Sequence, residues 1–245
     1  MPASTTVLAA LLAGCFLSMA VYRRRGSRRD PDLEGKSAQF FGGMGAFLQH
    51  WFIWAIRPAT AVSLRLGLSP DFYNFAGLAL GLASGVLIAC GRLELGGWAI
   101  ALSGVCDILD GRIARFTNTT SKYGDFIDST LDRFVEVFAF LGLTVYLAGH
   151  AYGPFLAVAA LSGSLLVSYT RARGDSLGVD CPGGLMQRAE RLVLTLLACL
   201  LDRTVCGWLG APAGTLLIWV LVAIAAGTYV TAVHRTVWIA RRLRT

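Results

Sequence analysis

Seven runs of about 20 predominantly apolar residues divide this chain, each long enough to cross about 30 Å of hydrocarbon as a helix. They are Thr5–Tyr22, Asp71–Cys90, Leu95–Arg115, Gly124–Leu147, Tyr152–Arg173, Leu185–Leu201 and Ala213–Ile239. Hydrocarbon offers no hydrogen bonds, so such segments must satisfy their backbone internally, which for apolar runs of this length means helices. The expected fold class is all-α: a polytopic membrane protein with a six-helix transmembrane core, an extra N-terminal transmembrane helix and an interfacial amphipathic helix. Composition agrees, with 55% of the 245 residues hydrophobic and 15% charged, against about a quarter charged in soluble domains.

The first run has no basic residue before it and is followed by RRRGSRR, Arg23 to Arg29. This charge order is the reverse of a cleavable signal peptide, so the run reads as a retained anchor that starts outside the cytoplasm. Residues 36–66 mix Phe40, Phe41, Phe47, Trp51, Phe52 and Trp54 with Gln49, His50 and Arg57, and Pro58 interrupts them. That pattern fits a helix lying in the cytoplasmic interface better than the alternative, a bent and poorly inserted span. The chain thus divides into an anchor with its basic linker (1–35), a juxtamembrane helix (36–66) and the core (67–245). The six cysteines are scattered without CxxC pairing and suggest neither a disulfide framework nor a metal cluster.

Following the chain through alternate sides puts all but Arg92 and Arg203 of the 22 Lys and Arg residues on one face. The positive-inside rule makes that face cytoplasmic. The net charge of +7 is therefore a matter of topology and contact with membrane lipids, and no motif points to nucleic acid.

Within this scheme CDILDGRIARFTNTTSKYGDFIDSTLDRF, Cys106 to Phe134, is anomalous. Asp107 and Asp110 fall on the cytoplasmic half of the second core helix, Asp128 and Asp132 on the matching half of the third. Spacings of three and four put each pair on one helix face, and the short polar turn Phe116–Tyr123 lets both faces converge. A carboxylate near the bilayer centre costs about 2.5–3.5 kcal/mol, so four together approach about 10 kcal/mol unless something offsets them. Converging oxygen ligands without His or Cys suit Mg²⁺ or Mn²⁺ more than zinc. Mg²⁺ usually shares its shell with substrate phosphate, so the site calls for a phosphate-bearing ligand. Gly111 and Ala114, on the face of Asp107, leave room for a bulky group, Arg115 can offer phosphate a forked donor, and Gly124 removes another side chain. Pairing of the acids with Arg112, Arg115 and Arg133 is the alternative, but it leaves the spacing and the small residues unexplained. Asp125 points elsewhere and reads as a first-turn helix charge.

Asp107-x-x-Asp110-Gly111-x-x-Ala114-Arg115, eight residues, then Gly124-x-x-x-Asp128-x-x-x-Asp132 resembles, without a gap, the signature of the CDP-alcohol phosphotransferases. The resemblance covers the core. It implies attack of an acceptor hydroxyl on the β-phosphorus of a CDP-linked lipid such as CDP-diacylglycerol, with release of CMP. Carried over to these positions, it implies that Asp107, Asp110 and Asp128 hold the metal, with Asp132 as general base, metal ligand or both. Gly111, Ala114, Arg115 and Gly124 would line the cytidine diphosphate along with Asp107 and Asp110. Asn74 stands where threonine is common, at a position facing the nucleotide. The family also suggests a homodimer, and the setting suggests a bacterial inner membrane.

The remaining cytoplasmic charge lies in SYTRARGDSLGVDCPGGLMQRAERL, Ser168 to Leu192. Arg171 and Arg173 end one helix; Arg188 and Arg191 begin the next, whose start near Leu185 adds anion-binding N–H groups, and Glu190 would compensate one arginine. A guanidinium cluster beside an anionic metal site suits an acceptor that carries its own phosphate. The stretch resembles the bacterial phosphatidylinositol-phosphate synthases within the family, which makes inositol 1-phosphate the first choice of small phosphorylated alcohol and glycerol 3-phosphate, as in phosphatidylglycerophosphate synthases, the second. Taken singly, these arginines also suit contact with lipid headgroups. An ion-coupled transporter is the rival of another class, although the acids cluster at one end and no repeat is visible. Gly77, Gly81 and Gly85 form a ladder suited to close helix packing, within the chain or between protomers.

Overall fold

The computed structural model describes residues 3–24, 43–181 and 183–244. Most of the basic linker, and Phe40 and Phe41 of the juxtamembrane segment, lie outside them. The described residues form eight helices and no strand: α1 (Ala3–Arg24), α2 (Gly43–Arg65), α3 (Pro70–Ala89), α4 (Leu93–Phe116), α5 (Lys122–Tyr146), α6 (Gly153–Ser176), α7 (Arg188–Leu209) and α8 (Thr215–Arg242). The chain divides into two compact units, the first ending at Leu68 and the second beginning at Ser69.

In the first unit the Trp51 indole N–H donates to Ser18 Oγ at 3.0 Å, and the buried Tyr22 ring lies 5.6 Å from that of Trp54. Pro58 does not interrupt α2, contrary to the expectation from sequence. It removes one ladder N–H, and the Thr60 and Ser63 hydroxyls back-bond the carbonyls of Ile56 and Ala59 in the same stretch.

In the second unit α3 packs along both α4 and α5, α6 along α5 and α8, and α7 between α4 and α8. The glycine ladder packs within the chain. A Cβ on Gly81 would lie 2.6 Å from Val135, one on Gly85 would strike the Phe138 carbonyl, and one on Gly142 would strike Gly85 itself. Small residues here let the α3 and α5 backbones touch. Ile88, Leu93, Phe140, Leu143, Leu217 and Leu221 fill the centre. At the far end of α7 the buried Asp202 carboxylate accepts from Gly214 N at 2.7 Å and Leu217 N at 3.3 Å, capping the start of α8.

By length and composition α3, α6, α7 and α8 can cross a bilayer. With 24 and 25 residues, α4 and α5 have the length but carry the aspartates and arginines, so composition alone counts four spans in the core where the run lengths counted six. The seventh helix also differs from expectation: it starts at Arg188 rather than Leu185 and runs on to Leu209, where Gly210 takes the left-handed conformation at φ 63°. Its start is delayed because the segment before it is tied to α8, with Met186 N donating to Thr231 Oγ1 at 3.2 Å, and Gln187 stays extended as the N-cap.

Candidate active site

The turn between α4 and α5 is built from local hydrogen bonds. Thr119 N donates to the Ala114 carbonyl at 2.9 Å, Asn118 takes φ 55°, and Ser121 Oγ caps α5 by accepting from Gly124 N at 3.0 Å. The turn reverses the chain in five residues, 117–121, so the polar ends of both helices reach the same level. Oxygens of Asp107, Asp110 and Asp128 then lie within 4.8 Å of one another, with Asp110 buried. Asp125 lies in the first turn of α5, as its spacing indicated.

A cleft of about 220 Å³ opens on these carboxylates, lined also by Asn74, Gly77, Ser103 and Asp132. Ser103 Oγ donates to the Gly77 carbonyl at 2.9 Å and fastens α4 to α3 beneath it. A Cβ on Gly111 would meet only the Arg115 guanidinium, at 3.4 Å, and one on Gly124 only Ser121 Oγ, at 3.5 Å. Both positions face open space, unlike the packed glycines of α3. Three converging carboxylates without nitrogen or sulfur form a donor set that fits a hard divalent cation, Mg²⁺ or Mn²⁺.

Asp132 stands beside this trio and has a different partner. The Arg188 guanidinium donates to both oxygens of Asp107 at 3.2 Å each, and its second amino group bonds Asp132. Arg133 lies 3.7 Å from Asp132. The salt-bridge alternative names Arg133, which does pair with Asp132; Arg188, first residue of α7, is not named there and is the nearer partner. Behind it Arg191, 1% exposed, donates from Nε to Glu136 Oε1 at 2.7 Å, from its NH2 to Oε2 at 3.2 Å and from its NH1 to the Met186 carbonyl at 3.2 Å. Glu136, not Glu190, compensates this arginine. Arg171 and Arg173 are exposed and make their contacts on α6, to Asp175 at 3.9 Å and Ser176 at 3.5 Å.

Sequence reasoning missed Glu136. Its signal was present: a lone carboxylate in the apolar run VEVFAFLG, one turn beyond Asp132, requires a partner. Arg235 was missed too; it is buried on α8 and donates to the Val167 carbonyl at 2.8 Å.

The family model for CDP-alcohol phosphatidyltransferases matches residues 68–227. Over 180 residues the chain is 33% identical to the archaetidylinositol phosphate synthase of Methanothermobacter thermautotrophicus, covering 74% of this chain and 87% of that protein. Over 210 residues it is 34% identical to the phosphatidylinositol phosphate synthase of Streptomyces avermitilis, covering 81% and 83%. The crystal structure of the Mycobacterium tuberculosis phosphatidylinositol phosphate synthase with CDP-DAG bound matches with a TM-score of 0.65 at 27% identity, covering 74% of this chain and 92% of that one. The same enzyme in complex with manganese and citrate matches with a TM-score of 0.66.

A membrane-embedded, all-helical bundle with a carboxylate metal site is thus the setting of a phospholipid-synthesising transferase. The chain belongs to the CDP-alcohol phosphatidyltransferase family. Fold class, enzyme class and the divalent-metal expectation agree with this membership, and the transporter reading is set aside by it.

Proposed function

We propose that this protein transfers the phosphatidyl group of CDP-diacylglycerol to the hydroxyl of inositol 1-phosphate and releases CMP, at the cytoplasmic face of a bacterial inner membrane. The observation that carries the reading is the convergence of Asp107, Asp110 and Asp128 within 4.8 Å, with Asp132 and Arg188 at their edge. Relatives from an archaeon and a bacterium bear names that share the inositol phosphate headgroup and differ in the lipid, which supports this acceptor.

Asp107, Asp110 and Asp128 would hold a divalent cation, and that charge would neutralise the donor's pyrophosphate and the departing CMP. Gly111, Ala114, Arg115, Gly124 and Asn74 form the surface on which the cytidine diphosphate lies, a reading supported by the open space at both glycines. The acceptor hydroxyl loses its proton to Asp132, its oxygen bonds to the β-phosphorus, and the bond from that phosphorus to CMP breaks. Arg188, with the exposed Arg171 and Arg173, receives the acceptor's phosphate. The buried Arg191 belongs to the same assignment, with its fork held by Glu136.

Around this core, α1 serves as an anchor, α2 lies along the cytoplasmic interface, α3 to α8 all cross the bilayer and two copies form a homodimer in contact with membrane lipids. Length and apolarity support the spans, and the family supports the dimer. The deciding experiment is CMP release by purified protein in micelles with Mg²⁺ or Mn²⁺, offered inositol 1-phosphate, glycerol 3-phosphate and the two unphosphorylated alcohols. Turnover with inositol 1-phosphate well above the other three is expected. Preference for glycerol 3-phosphate, or equal use of free inositol, overturns the acceptor.

A further inference from the structure

The buried face of α3 consists of Asn74, Gly77, Gly81, Ser84, Gly85 and Ile88. All but the first are small or apolar, as close packing against α4 and α5 requires. Asn74 breaks the pattern with a carboxamide. It is 8% exposed, and its side chain makes no hydrogen bond among the described residues.

The packing below Asn74 fixes what it faces. On α4, which runs antiparallel to α3, the Ser103 hydroxyl bonds the Gly77 carbonyl at 2.9 Å, and a Cβ on Gly77 would lie 3.4 Å from that of Cys106. Three residues back from Gly77, and four on from Ser103 and Cys106, at about 1.5 Å of rise each, bring Asn74 level with Asp107 and Asp110. On α5, which runs parallel to α3, a Cβ on Gly81 would lie 2.6 Å from Val135. Seven residues back along each helix is two turns on the same face, and that step leads from Gly81 to Asn74 and from Val135 to Asp128. The two registers agree, and all four polar side chains line one cleft.

The group placed there suits a cation already surrounded by acids. Three carboxylates exceed the charge of a divalent ion, and a further acid would add charge that apolar helices cannot carry unaided. A carboxamide oxygen is a hard but neutral ligand, of the kind that divalent cations accept beside carboxylates.

We propose that Asn74 is a neutral oxygen ligand of the divalent cation: its carboxamide oxygen joins Asp107, Asp110 and Asp128, and its amino group stays on the side of the cytidine diphosphate. The inference rests on the reading of that trio as the metal site and is independent of which alcohol is the acceptor.

The test is Mn²⁺ binding to full-length protein in micelles without donor lipid, followed by electron paramagnetic resonance, with the thermal midpoint of each variant measured beside it. Asn74→Leu keeps the volume and removes the oxygen, whereas Asn74→Asp keeps an oxygen at the same reach. The leucine variant is expected to bind Mn²⁺ about 10- to 100-fold more weakly, the scale of disturbances around a bound metal, and the aspartate variant at least as tightly as wild type. Asn74→Thr, which shortens the side chain by one bond within the same space, makes the measurement should leucine impair folding, and is expected to weaken Mn²⁺ in the same direction. Unchanged Mn²⁺ affinity in a folded leucine or threonine variant overturns the proposal; a raised donor KM beside it would leave Asn74 to the nucleotide alone. Weaker binding by the aspartate than by the leucine variant overturns it too, since an oxygen at that reach would then go unused. Asp110→Asn in the same titration separates the two levels: unchanged affinity there overturns the metal reading of the trio and this inference with it, while a loss there with none in the Asn74 variants overturns this inference alone.

Discussion

The Arg188 guanidinium joins Asp107 of α4 to Asp132 of α5, lying 3.2 Å from each oxygen of the first and bonding the second through its other amino group. One side chain from α7 thereby contacts a member of the aspartate trio proposed to hold the metal and the proposed general base. Such a contact balances negative charge that the apolar helices could not otherwise carry.

Removing Arg188 should damage acceptor use more than donor use. A hydrogen bond to a charged group contributes about 1.5–3 kcal/mol, so Arg188→Ala is expected to raise acceptor KM roughly 10- to 100-fold. Arg188→Lys should recover only part of this, since an ammonium lacks the paired donors of the fork. Steady-state kinetics with each substrate varied in turn will show it. A change confined to donor KM would return Arg188 to the role of a charge that balances the site.

The aspartates should separate into two classes when metal binding and turnover are both measured. Asp107→Asn, Asp110→Asn and Asp128→Asn keep shape but lose the charge a hard cation requires, so each should abolish turnover and weaken Mn²⁺ binding followed by electron paramagnetic resonance. Asp132→Asn should retain Mn²⁺ and lose about 10²- to 10⁴-fold in rate, the usual contribution of a general base. Loss of Mn²⁺ in Asp132→Asn would make that residue a ligand. Full activity of the wild type in excess EDTA would remove the metal from the reaction.

What could be read from the sequence was whatever depends on local spacing. Asp107 with Asp110, and Asp128 with Asp132, share faces because a helix repeats every 3.6 residues, and a turn as short as the one at Asn118 leaves them little choice but to meet. Pairs between distant helices have no such signature. Glu136 and Arg191 are 55 positions apart, and nothing near either one names the other. The start of α7 was misplaced for a related reason, since Leu185 is apolar and fits a helical run, but a bond from Met186 to Thr231 on α8 keeps the chain extended there. Pro58 misled in the opposite sense: a helix breaker by propensity in water stands inside α2, which continues through it to Arg65.

Two glycines of the core should respond to alanine in opposite ways, because one faces a backbone and the other faces the site. On Gly85 a new Cβ would press against the Phe138 carbonyl, whose carbon lies 2.8 Å away, and neither α3 nor α5 can yield there without separating. Overpacking of this kind costs about 1–3 kcal/mol, so Gly85→Ala should lower the thermal midpoint by several degrees. On Gly111 the Cβ would meet only the tip of the flexible Arg115 side chain, at 3.4 Å. Alanine is favoured over glycine inside a helix by about 1 kcal/mol, so Gly111→Ala should keep or raise the midpoint. Its effect should instead fall on the donor, since a methyl group would occupy space assigned to the cytidine diphosphate; donor KM should rise about tenfold or more, the scale of one misplaced methylene in a binding site. Thermal denaturation in micelles and donor-varied CMP release, run on both variants, measure the two effects together. Unchanged donor KM in a fully folded Gly111→Ala protein would show that the open face of α4 is not the donor surface, and would move the nucleotide to the part of the cleft nearer Asn74.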